Sequence, residues 1–591
     1  MHNYRAPIRD VLFSLNELHR YPEHYAALNA GVGGDEMSLI LGEIGKFAER
    51  TLAPINAGGD AGARWTDGAV SAPEGFKDAY RQYVDAGWPR LGHDEKHGGQ
   101  TVPYSLKQAA SEFLQSANHA WCMYAALNDG AIKTLTHHAR PEQVEAFVPR
   151  LVSGEWIGTM CLTEPQCGSD LNLVNTRAQA IGDGRYRISG TKIFISSGEQ
   201  DLSENIVHLV LARLPDAPKG TRGISLFVVP KRKLDSAERN GVSCISIEHK
   251  MGIKGSATCV MAFDEAEGWL VGEPNRGLNC MFVYINKSRL GVAQQSQGHA
   301  EASFQATLAY ARDRLQGRAP GGAISPDKAA DPLIAQPDIR RMLFTQKAIA
   351  EGGRSLVHLC AKWVDLADAP DAAVRRQAEH RLALLIPIAK GALSELASEA
   401  TDLGVQVLGG HGYMQEWGVE QRVRDVRVAR IYEGTTGIQG SDLLGRKVLG
   451  AERETLDEFA REILQACRLP SRPELLALQL RLQPAVEMWL AVSDELAAGS
   501  PADPSLVGAA AVDYLMLSGY VVLGYVWLQS ASVAASALAA GTQEEGFYRA
   551  KLQTARFYFD KLLPRASAHR ESIASGSAAL MQLDEASFSF A

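Results

Sequence analysis

In "RIYEGTTGIQG", residues 430–440, one carboxylate, Glu433, stands between a tyrosine and the small residues Gly434-Thr435-Thr436-Gly437. The chain there is bare enough for something flat to lie against it, which raises the question of why a charge is placed there. A helix N-terminus explains the same pattern, because Thr and Gly cap helices and an acid favours their positive end. "TMCLTEPQCGSDLN", 159–172, brings the Thr163 and Ser169 hydroxyls and a run of backbone N–H groups to one edge. That donor set fits a flavin ring edge or a pyrophosphate, and a capped turn accounts for it equally well. "TKIFISSGEQ", 191–200, offers Phe194 beside Ser196 and Ser197. Phe194 suits one face of a flat ring, although a lone strand aromatic is more often a core residue.

Other patterns lead nowhere. "HDEKH", 93–97, has two histidines four apart but lies among Gly, Pro and Trp, so a solvated loop is expected. "HH" at 137–138 reads as a helix end, and "GGHG" at 409–412 follows a helix where a dinucleotide fingerprint needs a strand. There is no Walker lysine motif, no GxSxG and no metal-ligand spacing.

These segments need elements to hold them. Residues 1–157 carry helical periodicity, with 1–35 an extra N-terminal piece. Between 158 and 275 the texture becomes short β-branched runs bounded by turn residues: "RYRISGTKIFIS", "NIVHLVLARL", "GISLFVVPK" and "TCVMAFDEAEGWLVG". Helical period returns over 276–447, and 448–591 reads as an additional helical domain. With 591 residues, about three or four domains are expected. No charge falls between Asp513 and Glu544, but serines thin the hydrophobicity, so one buried helix, or two joined, is expected there and no membrane span.

The net charge of -8 argues against nucleic acid as a partner. Eight cysteines without a CxxC pair fit a reducing compartment, and no apolar leader opens the chain, so a cytoplasmic protein is expected.

"CLTEPQCGSD" (161–170) and "QVLGGHGYMQEWGVEQRVRD" (406–425) resemble the two signatures of the acyl-CoA dehydrogenase family. "KMGIKGSATC", "NKSRLGVA", "YARDRLQGR" and "RIYEGTTGIQ" resemble its other segments, in order, over roughly residues 40–447. The added ends are similar to the long bacterial members, the 3-methylmercaptopropionyl-CoA dehydrogenase-like and fatty acyl-CoA dehydrogenases. The resemblance implies an α+β fold: an N-terminal helical domain, a middle β domain and a four-helix bundle, here with the extra helical domain.

It also implies FAD-dependent oxidation of an acyl-CoA to the trans-2-enoyl-CoA, with electrons passed to an electron-transfer flavoprotein. Glu433 would be the base, because the segment that carries the base in some relatives, "INKSRLG", has Ser288 and no carboxylate. Met160, Leu162, Thr163, Ser169, Phe194, Ser196, Thr435 and Gly437 would line FAD. Asn286, Arg289, Gly434 and again Ser169 would serve the substrate. Arg314, Gln316, Gln406, Gly409 and Gly410 would reach the FAD of a neighbouring subunit, which requires at least a homodimer. The family's oxyanion donors are the backbone N–H of the residue matching Glu433 and a flavin ribose hydroxyl. Met160, Cys167, Phe194 and Asn286 depart from the commonest family residues, where Tyr, a smaller residue, Trp and Asp are usual. An acyl chain carrying sulfur, an oxidase using the same base, and a flavoprotein of this fold with only a binding role are the competing readings.

Overall fold

The computed structural model describes residues 4–469 and 472–589, without the side chains of Phe282, Val283, Tyr284 and Asn286. The chain divides into two compact units, residues 43–288 and residues 1–42 with 289–591.

The chain starts with α1 (Ile8–Leu12), α2 (Tyr21–Ala27) and α3 (Gly34–Phe47), the last running into the first-named unit. There follow α4 (Ala53–Gly59), a small hairpin of β1 (Arg64–Thr66) and β2 (Ala69–Ser71), α5 (Phe76–Asp85), α6 (Tyr104–Ala117), α7 (His119–Ala125), α8 (Asn128–His138) and α9 (Pro141–Ser153). The sheet comprises β3 (Trp156–Cys161), β4 (Arg177–Gly182), β5 (Arg185–Ser196), β6 (Asn205–Arg213), β7 (Ile224–Pro230), β8 (Val242–Ile247) and β9 (Thr258–Val271). The four β-branched runs of the sequence are therefore β5, β6, β7 and β9.

Their order is β3-β6-β4-β5-β9-β7, and β7 also pairs with β6, so the path from β6 round to β7 closes on itself. Among the described residues β3 and β8 lie outside this ring, each pairing with one strand only, β3 with β6 and β8 with β9. Strands β6 and β7 are buried along nearly their whole length, which explains their continuous apolar sequence. One irregularity matters for function: the β5–β9 register shifts between Lys192 and Ile195, a bulge that re-aims the intervening side chains.

The other unit is built on α10 (Gly277–Asp313), which enters it at Arg289, α11 (Pro337–Leu366) and α12 (Ala372–Leu408). Short α13 (Val419–Val426) and α14 (Thr436–Ser441) follow, the latter continuing as a wider-wound stretch to Ala451. Then come α15 (Arg453–Arg468), α16 (Pro473–Gly499), α17 (Leu506–Ala539) and α18 (Glu545–Phe557). The uncharged stretch is one unbroken helix, α17, not two joined. By length and composition α17 suits a bilayer, yet 67% of its most apolar window is buried inside this unit.

Small residues let α17 approach the bundle closely. A Cβ added at Gly519 would fall on the Cβ of Ala392, and one at Gly391 on Leu515. The Trp527 indole N–H donates to the Ala348 carbonyl (3.2 Å). Charge fastens the two chain ends to the same bundle. Buried Arg354 pairs with Asp10 and with Glu301 (2.8 Å), while buried Lys551 of α18 pairs with Asp10 and with Glu351 (2.8 Å).

Two glycines of α17 test this packing. Gly519→Ala is expected to destabilise the protein by about 1–3 kcal/mol, because a backbone-anchored methyl leaves no room. Gly508→Ala, with nothing within 4 Å, should be neutral or stabilise by up to about 1 kcal/mol. Urea denaturation of both variants checks the contrast, and equal effects would contradict close contact at Gly519.

Candidate active site

Glu433 lies in the bend between the turn Arg427–Arg430 and α14, in the unit built on the long helices. It adopts φ +55° and Gly434 φ +93°, so two consecutive residues are left-handed. For glutamate that conformation is strained, and it persists only where its surroundings enforce it. The carbonyls on either side of the bend supply that enforcement. Gln439 Nε2 donates to the Glu433 carbonyl (3.0 Å), and Lys390 Nζ donates to the Gly434 carbonyl. A side chain at 434 would strike the Gln439 amide, so glycine is required by space as well as by φ. Thr435 then caps α14, its hydroxyl accepting from Ile438 N–H (3.2 Å). The capping reading of this segment is therefore correct for Thr435, and Glu433 is left over for something else.

The half-buried Glu433 carboxyl makes no hydrogen bond among the described residues. Burial pushes its pKa up to about 7, against the opposing pull of Arg289 and Lys390. Lys390 is wholly buried, and burial lowers its own pKa to about 8 despite the neighbouring Glu433. Arg289 sits on α10 with Asp442 at 3.4 Å, and its buried Nε has no hydrogen-bond partner among the described residues. Further groups stiffen the surround: Arg430 pairs with Glu395 (2.5 Å), Thr436 donates to Glu395 (2.6 Å), and Tyr432 donates to Gln295. A carboxyl with no internal partner, poised to ionise near neutrality, is equipped to take up a proton.

The sheet unit carries the other candidate set. Met160 is the residue before last of β3 and, with Leu162, packs half-buried against the sheet's hydrophobic core. The two motifs adjoin there: Ile193 N–H donates to the Thr163 carbonyl (2.9 Å), and buried Lys192 donates to the Leu162 carbonyl (3.0 Å) and to Glu164 (2.7 Å). Glu164 in turn accepts from Asn175 and Thr176 N–H and from the Thr176 hydroxyl, fixing the loop. Burial works against its ionisation, but Lys192 and these donors hold its pKa at about 2. At the β5 bulge Phe194 has φ +59° and is 58% exposed, so the core reading of this residue is wrong.

The Thr163, Ser169 and Ser196 hydroxyls have no hydrogen-bond partner among the described residues, and Ser169 is exposed. A strained, outward aromatic ring on the unit that also carries three unengaged hydroxyls fits a flat polar cofactor such as a flavin.

Of the remaining candidates, Arg314 and Gln316 are exposed just beyond the end of α10, so Arg314 is not on a helical face. Gln406, Gly409 and Gly410 are exposed at the end of α12. Tyr310 near the first pair hydrogen-bonds His411 near the second (3.0 Å). Gln406 lies about 24 Å along α12 from Lys390, by helical rise, so this group stands apart from Glu433. Asn286 falls outside the residues whose side chains are described. In "HDEKH" the solvated-loop expectation fails for His93, which is largely buried and bonds Asp129 (3.1 Å) beside Lys107. Lys390, Gln439 and the Lys192–Glu164 pair were not singled out from sequence. The available signal was a lone cation inside each apolar run, "LLIPIAKGAL" and "TKIFIS".

Four family models cover nearly the whole chain. They are the acyl-CoA dehydrogenase N-terminal domain (34–155), middle domain (159–266) and C-terminal domain (275–448), and the acetyl-CoA dehydrogenase C-terminal like domain (457–584). The 3-methylmercaptopropionyl-CoA dehydrogenase of Ruegeria pomeroyi is 42% identical, over 96% of this chain and 98% of that one. The chain belongs to the acyl-CoA dehydrogenase family. A second relative, the broad-specificity linear acyl-CoA dehydrogenase FadE5 of Mycobacterium tuberculosis, is 36% identical over the full length of both. An acyl-CoA dehydrogenase from Bacillus anthracis, solved with FAD, shares the fold with TM-score 0.74 at 21% identity, covering 92% of this chain and 89% of that one. As a member of this family the protein is an FAD-dependent oxidoreductase, and the α+β architecture with an additional C-terminal helical domain is the family's long form.

The raised Glu433 pKa has a consequence for stability. The carboxyl holds its proton to about pH 7 when folded but only to about 4.5 when unfolded, so its contribution to stability falls as pH rises between the two. Glu433→Gln removes that loss, and its advantage over the native protein should grow from pH 4.5 to 7 and level off at no more than about 3 kcal/mol. Melting temperatures across this range check it; a pH-independent difference would contradict the burial assignment.

Proposed function

We propose that this acyl-CoA dehydrogenase oxidises a fatty acyl-CoA thioester to the trans-2-enoyl-CoA, with Glu433 as the base that removes the α-proton. The observation that carries the assignment is the Glu433 carboxyl: strained into place, without an internal partner, and pushed up to about pH 7. A base works best when its pKa lies near the operating pH, so this group is half ionised where the reaction must run. FAD, when bound, supplies the two-electron acceptor that no side chain provides. Glu433 holds the abstracted proton, and its own backbone N–H is available to the thioester oxygen as negative charge develops there. Ser169 and Arg289 are assigned to the substrate, and Met160, Leu162, Thr163, Phe194 and Ser196 to FAD.

Arg314, Gln316, Gln406, Gly409 and Gly410 are exposed and remote from Glu433, which favours a role at the cofactor of a second copy and hence a homo-oligomer. An electron-transfer flavoprotein is the proposed electron acceptor. The Ruegeria relative, at 42% identity, favours a second reading of the substrate, 3-methylmercaptopropionyl-CoA, while the Mycobacterium relative's name favours linear acyl chains.

Anaerobic titration of the yellow protein with saturated acyl-CoAs of graded length and with 3-methylmercaptopropionyl-CoA separates these. The native protein should bleach with its substrate class, and Glu433→Gln should bleach at least about 1000-fold more slowly. Bleaching at native speed in the glutamine variant would remove Glu433 from the role. Flavin that no thioester reduces would remove the dehydrogenase reading.

A further inference from the structure

The α12 run "LLIPIAKGAL" is buried almost throughout, and a methionine or leucine would fill the place of Lys390 at no electrostatic cost. A buried ammonium costs several kcal/mol unless it is well paired. Lys390 is not paired in the usual sense, because among the described residues no carboxylate lies within ion-pairing distance of it. Its one hydrogen bond goes to the Gly434 carbonyl, on the C-terminal side of the left-handed bend.

The groups facing Glu433 show why that charge is not cancelled. Arg289 comes from α10 and is shared with Asp442 (3.4 Å). Lys390 and Glu395 come from α12, but Glu395 is occupied by Arg430 and the Thr436 hydroxyl. Tyr432, from the same loop as Glu433, is neutral, because burial pushes its hydroxyl far up. The nearby anions are thus each engaged elsewhere, and Lys390, with no carboxylate of its own among the described residues, adds its charge to that of Arg289 at Glu433.

We propose that Lys390 is a positioning residue for proton abstraction, fixing the Glu433–Gly434 bend through the Gly434 carbonyl and directing an uncompensated positive charge at the Glu433 carboxyl. The inference rests on the reading of Glu433 as the base. Lys390 does not itself touch the reacting carbon. After Arg289, it offsets part of the burial penalty, and together the two charges let Glu433 ionise near neutrality. A neutral residue in its place leaves Arg289 alone to draw Glu433 toward its ionised form, so the carboxyl keeps its proton to higher pH.

The test uses the full-length FAD-loaded protein and follows exchange of the substrate's α-hydrogens for deuterium in D2O by mass spectrometry, as a function of pH. Lys390→Gln keeps a donor for the Gly434 carbonyl but loses the charge, Lys390→Met loses both, and Lys390→Arg keeps the charge. The half-maximal pH of exchange should rise by about one unit in the glutamine and methionine variants, with KM within about twofold, and stay near native in the arginine variant. The methionine variant should also lose about tenfold in its high-pH plateau as the bend loosens. If it does not fold, the glutamine variant carries the same test. Native midpoints in the neutral variants, or an arginine midpoint shifted as far as glutamine's, would reduce Lys390 to a packing residue. Exchange persisting in Glu433→Gln would instead overturn the base assignment, whatever the Lys390 variants do.

Discussion

A base for an α-proton must be buried enough to be basic and solvated or charge-compensated enough to ionise, and these demands conflict on one carboxyl group. At Glu433 the compromise is electrostatic. Burial drives the carboxyl toward its neutral form, and Arg289 and Lys390 draw it back. Hydrogen bonds are not used for the purpose; they go to the backbone on either side, through Gln439 and Lys390. The side chain is thus free while its main chain is pinned in a conformation that glutamate rarely adopts.

The additional helical domain is part of this arrangement. Helix α14, which begins three residues after Glu433, has Gly440 so close to α17 that a Cβ there would strike the Ala511 carbonyl. Helix α17 also packs on α12 through Gly519 and Ala392, on the helix that carries Lys390. Two of the three pieces that set up Glu433 therefore lean on a helix with no charge along its middle. The buried Asp10–Arg354–Glu301 and Asp10–Lys551–Glu351 pairs join the N-terminal segment and α18 to the same bundle. Removing one member of such a network strands the rest, so these charges act as a register device as much as a source of stability.

Much of this was readable from residue order. Short β-branched runs bounded by turn residues marked β5, β6, β7 and β9, and the long helices followed from their period. The resemblance of the ordered motifs to the acyl-CoA dehydrogenase family pointed to Glu433. What could not be read depends on contacts made far along the chain. Phe194 looks like a core residue until the β5–β9 register slips and turns it outward. Lys390 is 43 residues from Glu433, and nothing local announces that its ammonium meets the Gly434 carbonyl. His93 reads as a loop residue because Lys107 and Asp129, which enclose it, come from later helices.

The central claim is that one carboxyl, Glu433, titrates near neutrality because of where the fold puts it. Infrared difference titration of the substrate-free protein, native minus Glu433→Gln, isolates the carbonyl stretch of that single protonated carboxyl. The account predicts a band that disappears with a midpoint near pH 7. A midpoint near 4.5, the ordinary value for glutamate, would contradict it.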